Sequence, residues 1–256
     1  ISNLFDKWEI IRLIKNKKKI EILLKKFKEK DFNYEKSDEF DIHAEDLNNY
    51  ILTKVVNFKY KPKFKKIKYF NSFRKKKNIK STNNNLLEYF IFKYISKINE
   101  NKNLFHGINF DNSIIKTCEA NIRNFQLPIF YYEKNYNKDY FNKNLRKKLF
   151  KKNNKKDFLE FCREEISLLL PKSFLEDFDK IKQAIEVSYF PRKTNKIFTS
   201  FNYRKNDFFQ IWCAEQRLKG SKYMIFQHGG GYGYGDFTTD EEYIDKISDK
   251  FLTWGW

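Results

Sequence analysis

Glycine, proline, cysteine and histidine are all scarce in this 256-residue chain, at eight, four, three and three copies. The last two scarcities each close off a class of site. Cys118, Cys162 and Cys213 are an odd number, far apart, with no Cys-x-x-Cys pair. Neither a disulfide framework nor a cysteine zinc site can be built from them, which fits a reducing cytoplasm. Cys162 and Cys213 sit in apolar helical patterns, where a thiol packs as a small hydrophobe. His43, His106 and His228 make no His-x-His or His-x-x-x-His pair, so no metal site is predicted. GxSxG and SxxK nucleophile motifs are missing. No apolar run approaches the ~20 residues that span a bilayer, and no signal peptide is visible.

Acidic residues are the minority charge, 33 against 52 basic ones, for a net charge of +19. A surplus of that size points to a polyanion: nucleic acid, an anionic membrane surface or an acidic substrate. Base composition offers a plainer explanation. Lys, Asn, Ile, Phe and Tyr all use A/T-rich codons, and "KNKKK" (15–19), "KPKFKKIK" (61–68) and "RKKKNIK" (74–80) then read as solvated faces. The acidic patch "DEFDIHAED" (38–46) reads as a solvated loop and helix cap, with His43 at the surface.

Hydrophobic residues are plentiful at 41%, aromatics at 19%, enough to bury a core in one large domain or two small ones. Leu4, Trp8, Ile11 and Ile14, then Ile20, Leu23, Leu24 and Phe27, follow helical spacing over 3–31. Further helices are predicted over 44–57 and 85–98, the latter apolar nearly all round and therefore central. "QLPIFYYE" (126–133) reads as a strand. Ser173 with Glu176 three residues on reads as a capping box that opens a helix. The clearest stretch is strand "KIFTSF" (196–201), helix 206–220 capped by Asn206 and stopped by Gly220, and strand "KYMIFQ" (222–227). That is a β-α-β unit with two parallel strands. "DKFLTWGW" (249–256) supplies a third strand after a helical patch at 240–248.

Five of the eight glycines fall within residues 229–235, directly after His228. The cluster is neither familiar phosphate loop. From Gly229 the third fingerprint position is Tyr234, from Gly231 it is Asp236, and Asp236 rather than Lys follows Gly235. What remains is a strand-end loop whose backbone takes positive φ or approaches a ligand closely. Its N–H groups can form an anion nest, with His228 placed as a general base or a donor to phosphate. A structural turn is the plain alternative for a lone histidine. Thr199, Ser200 and Asn202 offer hydroxyls and an amide at the neighbouring strand end. His106 precedes the single glycine among the first 219 residues and reads as a turn residue.

"IFTSFNYRKNDFFQIWCAEQRLKGSKYMIFQHGGGYG" with "KISDKFLTWGW" resembles a family of bacterial transferases found in gene clusters for surface carbohydrate. The similarity is close over about 188–256, with an echo in "LFDKWEIIRLI"; Phe201 intervenes where the family has Asn directly after Thr-Ser. The resemblance implies an α/β fold: a mainly helical N-terminal region (1–105) and a Rossmann-like half (106–256) of a two-domain glycosyltransferase-B-like architecture. The chain, beginning at Ile1 and stopping at "TWGW", is then a piece whose second, nucleotide-binding half is absent and which is inactive alone. His228-Gly229 is also similar to the His-Gly motif of polyol-phosphate polymerases, in which the histidine deprotonates an acceptor hydroxyl.

On that pattern His228 is the catalytic base. Gln227, Gly229, Gly230, Gly231, Tyr232, Gly233, Thr199, Ser200 and Asn202 bind substrate. The partners are a nucleotide-sugar donor, which is a substrate and not a cofactor, and a glycan or lipid-linked acceptor. The expected location is cytoplasmic, with peripheral contact to an anionic membrane. A basic nucleic-acid-binding module, suggested by "FKYKPKFKKIKYF" (58–70), and a non-catalytic scaffold are the alternatives.

Overall fold

The computed structural model describes residues 2–14, 44–60, 86–127, 140–149, 157–234 and 239–255. The predictions for 15–31, the basic runs, His43, most of the strand at 126–133, Gly235 and Trp256 lie outside them. The chain divides into two compact units, one of residues 1–79 and 139–176, the other of 80–138 and 177–256.

The first unit is helical: α1 (Ser2–Ile14), α2 (Ala44–Tyr60), α5 (Lys143–Leu149) and α6 (Phe158–Leu169). Leu4, Trp8 and Ile11 of α1 meet Tyr50, Ile51 and Val55 of α2 and Phe161 and Cys162 of α6 in one buried core. This is the three-to-four spacing expected of α1, and Cys162 packs as a hydrophobe there. Arg146 of α5 is buried too. Its Nε and Nη2 each donate to the Glu176 carboxylate at 2.6 Å, and Nη1 donates to the carbonyls of Ser167 (3.0 Å) and Leu170 (2.7 Å). One guanidinium therefore satisfies open carbonyls where α6 ends and neutralises a buried acid. Burial pushes the Glu176 carboxyl up, but Arg146 and the Asn142 N–H outweigh it and hold it below the usual range. Glu176 so engaged cannot close the capping box with Ser173. The chain makes a 3-10 turn at Lys172–Phe174, and the next helix, α7, begins only at Phe178 (Phe178–Glu186).

The second unit holds a four-stranded parallel sheet in the order β1-β2-β3-β4: β1 (Asn103–Phe105), β2 (Lys196–Thr199), β3 (Lys222–Phe226) and β4 (Lys250–Leu252). Around it lie α3 (Leu86–Ile98), α4 (Asn112–Asn121), α7, the short α8 (Asn202–Lys205), α9 (Asp207–Leu218) and α10 (Thr239–Ile247). The fold is α/β, consistent with a Rossmann-like half. The β-α-β expectation holds in detail. Asn206 Oδ1 accepts from Phe209 N at 2.9 Å, and Gly220 takes φ +94 just past the helix end. Glu215 finds the partner a half-buried acid needs in Lys182 of α7, at 3.2 Å. Register places Leu104, Ile197, Tyr223 and Ile225 on one buried face. Phe105, Phe198 and Phe226 line the other, and their rings stack at 4.6 and 5.9 Å. The strand order contains no reversal among the described strands.

Besides the capping box, two sequence expectations differ from the structure over the described residues. α3 is not central: Leu87, Phe90, Ile91 and Tyr94 are exposed, and it is held by Phe92, edge-on to Tyr189 at 5.6 Å, and by Ser96 Oγ donating to the Phe190 carbonyl at 2.8 Å. Gln126 and Leu127 form no strand. The outer edge of β1 is instead satisfied by side-chain amides, Asn124 bonding both backbone groups of Asn103 and Gln126 both of Phe105, at 2.7–2.9 Å. Two amides imitate a strand and close an edge that would otherwise invite pairing.

Candidate functional site at the carboxyl edge of the sheet

Gln227 leaves the end of β3 buried and tied. Its N–H donates to Leu252 O, its Nε2 to Gly229 O at 2.8 Å, and its Oε1 accepts from Trp254 N at 3.2 Å. The amide thus staples the ends of β3 and β4 and fixes where His228 emerges. His228 Nδ1 lies 2.9 Å from the Tyr232 hydroxyl. Tyr203 of α8 meets the His228 ring edge-on at 6.1 Å, and its hydroxyl neighbours that of Tyr232. Burial is the main cause that raises both phenols, so each keeps its proton at neutral pH.

At the ends of β1 and β2 the chain makes a second knot. The Gly107 carbonyl accepts from Ser200 N (2.9 Å) and Thr199 Oγ1 (3.2 Å), while Ser200 Oγ accepts from Asn109 N at 3.3 Å. Thr199 and Ser200 are fully buried, so their hydroxyls brace the β1 loop. The Phe201 that separates Asn202 from Thr-Ser turns outward, and Asn202 opens α8 with its amide lying over Gly107. Asn202 is 3% exposed and its Nδ2 has no partner among the described residues. Gly107 is required twice over. Its φ is +62, and an added Cβ would stand 2.3 Å from Asn202 Nδ2. Gly107→Ala is expected to cost about 2–5 kcal/mol, from the left-handed backbone plus overpacking. Urea unfolding of the chain checks this, and a wild-type midpoint would contradict it.

His106 sits beside Gly107 with its ring between Phe190 and Phe209, at 5.3 and 5.4 Å. Burial lowers its pKa from 6.5 to about 4. An unfolded chain takes up this proton from about pH 6.5 downward. The folded unit does so only near pH 4, so stability falls as pH drops through that window, by roughly 3 kcal/mol. His106→Gln should flatten the loss. A wild-type–variant difference in unfolding free energy that stays constant from pH 7 to 4 would contradict this assignment.

The glycine loop is open. Gly229, Gly230 and Gly231 avoid the left-handed region, and a Cβ added to any of them would meet nothing within 4 Å. Of the described loop glycines only Gly233 takes positive φ, at +77. Its N–H donates to Glu241 Oε1 at 2.6 Å, while Arg204 of α8 pairs with Asp240. Phe110, in the loop after β1, meets Phe226 at 5.1 Å. One edge therefore gathers His228, Tyr232, the glycines, Thr199, Ser200 and Asn202. It adds Gly107, Tyr203, Arg204, Asp240 and Glu241, which the sequence did not single out. Gly107 carried a usable signal as the single glycine before residue 220. Tyr203 and Arg204 carried none, being one aromatic and one cation among many.

Among the described residues no group of three His, Cys, Asp or Glu could hold a metal ion, and no helix is long and apolar enough to cross a membrane. Compared with known proteins, residues 1–256 match a family model described as LIC12162 family transferase. No curated protein and no solved structure matches the chain.

Proposed function

The chain belongs to the LIC12162 family of transferases, and on that premise we propose that it moves a sugar or related unit from a nucleotide-activated donor to a hydroxyl of a surface-polysaccharide or lipid-linked acceptor. His228 is the general base. The acceptor hydroxyl gives its proton to the imidazole, its oxygen bonds the transferred carbon, and the bond from that carbon to the donor phosphate breaks. The observation that carries this reading is the 2.9 Å contact between His228 Nδ1 and the Tyr232 hydroxyl at the end of β3. With Nδ1–H donating to the phenol oxygen, Nε2 is the basic nitrogen of the ring, 3.5 Å from the same hydroxyl. Tyr232, buried enough to stay protonated, is a neutral partner that orients the ring and does not compete as a base.

The open α-carbons at Gly229, Gly230 and Gly231 support entry of a phosphate or sugar beside His228. Thr199, Ser200 and Gln227 act from behind, holding the strand ends in place, and Asn202 offers a buried N–H donor. A second, nucleotide-binding half of glycosyltransferase-B type completes the donor site. The work is done in the cytoplasm, and the +19 charge holds the protein against an anionic membrane where lipid-linked acceptors sit.

A panel of nucleotide sugars tests this on the protein carrying both halves, read by thermal shift and by donor turnover, alongside His228→Ala and a duplex DNA control at two salt concentrations. Stabilisation by one nucleotide sugar, with its turnover lost in the variant, supports the proposal. No response to any donor, with salt-sensitive stabilisation by DNA, overturns it in favour of nucleic-acid binding.

A further inference from the structure

Two anion-recognising groups at this edge are occupied by the chain's own carboxylates. Gly233 N–H meets Glu241 Oε1 at 2.6 Å, and the Arg204 guanidinium pairs with Asp240. Asp240 and Glu241 are neighbours in the first turn of α10, so a single turn of helix delivers both acids. All three charged groups lie close enough to act on the Tyr232 hydroxyl that bonds His228. A left-handed glycine N–H and a guanidinium fork are groups that hold phosphate oxygens.

The contacts that fill them are weak enough to yield. The Arg204 and Asp240 side chains are 40% and 34% exposed, and ion pairs at such surfaces contribute little. A diphosphate brings more charge and more acceptor oxygens than either carboxylate, beside the open α-carbons of Gly229, Gly230 and Gly231. The next acids along α10 are differently engaged or placed. Glu242 pairs with Lys246 on the same helix, and Asp245 is exposed one turn on.

We propose that Gly233 N–H and Arg204 form a diphosphate seat beside His228, and that Asp240 and Glu241 fill this seat until a phosphorylated substrate displaces them. The seat rests on the transferase reading, in which a nucleotide-activated donor carries the diphosphate.

Titration calorimetry of the full chain with inorganic pyrophosphate at low salt tests the seat. Asp240→Asn and Glu241→Gln are each expected to tighten binding about two- to fivefold by weakening the internal competitor. Arg204→Ala should weaken it by about tenfold or more, the loss of a charge-assisted bond. Asp245→Asn, on the same helix, should leave it unchanged. Wild-type affinity in Arg204→Ala would overturn the proposal. So would equal tightening by Asp240→Asn and Asp245→Asn, because the effect would then be overall charge. Binding is read without turnover, so loss of this seat and loss of His228 as base are separate results.

Discussion

Arg146→Ala is expected to destabilise the helical unit by about 3–5 kcal/mol, the cost of breaking a buried ion pair from one side. The geometry explains the size. Arg146 and Glu176 side chains are 1% and 3% exposed, and the guanidinium contacts both carboxylate oxygens at 2.6 Å. Truncation leaves the Glu176 charge buried and strips the donor from the Ser167 and Leu170 carbonyls at the end of α6. Trp8, packed against Phe161 of the same helix, contributes this unit's share of the tryptophan fluorescence that follows urea unfolding. Arg146→Met with Glu176→Leu should cost less than the single truncation, because no charge is then stranded. A single variant that unfolds with the wild type would mean that the pair contributes nothing net.

His228→Ala should lower donor turnover by about 10²–10⁴-fold, the usual contribution of a positioned base. Donor affinity should change little, because the imidazole acts on the acceptor proton. Tyr232→Phe is the graded control. It removes the 2.9 Å hydroxyl contact but keeps the ring, which also packs on Phe251 at 5.1 Å. A loss of about tenfold is expected, the scale of one hydrogen bond. Steady-state rates with the donor found by the screen decide the matter. His228→Ala turning over at the wild-type rate would remove it from the chemistry and leave the loop as a structural turn.

The parts legible in the sequence are those that short-range chemistry controls. Asn206 caps α9 and Gly220 ends it because both act within one turn of their helix. The short strands and their connecting helix made β2 and β3 parallel neighbours, and the glycine-rich stretch fell at a strand end because glycine serves there and almost nowhere else in this chain. Cys162 and Cys213 are buried as their apolar settings required, and burial raises the Cys213 thiol to about 12.

What the tertiary structure decided lies between segments distant in sequence. β1 has three residues, too few for any periodicity, and only its pairing with β2 makes it a strand. Glu176 has the spacing of a capping box with Ser173, yet Arg146 takes it, because a buried guanidinium offers more than a backbone N–H. Asn202 lies over Gly107, and Arg204 and Gly233 meet consecutive acids of α10, only because the sheet brings four strand ends to one edge. The residue types of the candidate site were therefore set by the local chain. Which of them face one another was set by strand order and register, which no local pattern encodes.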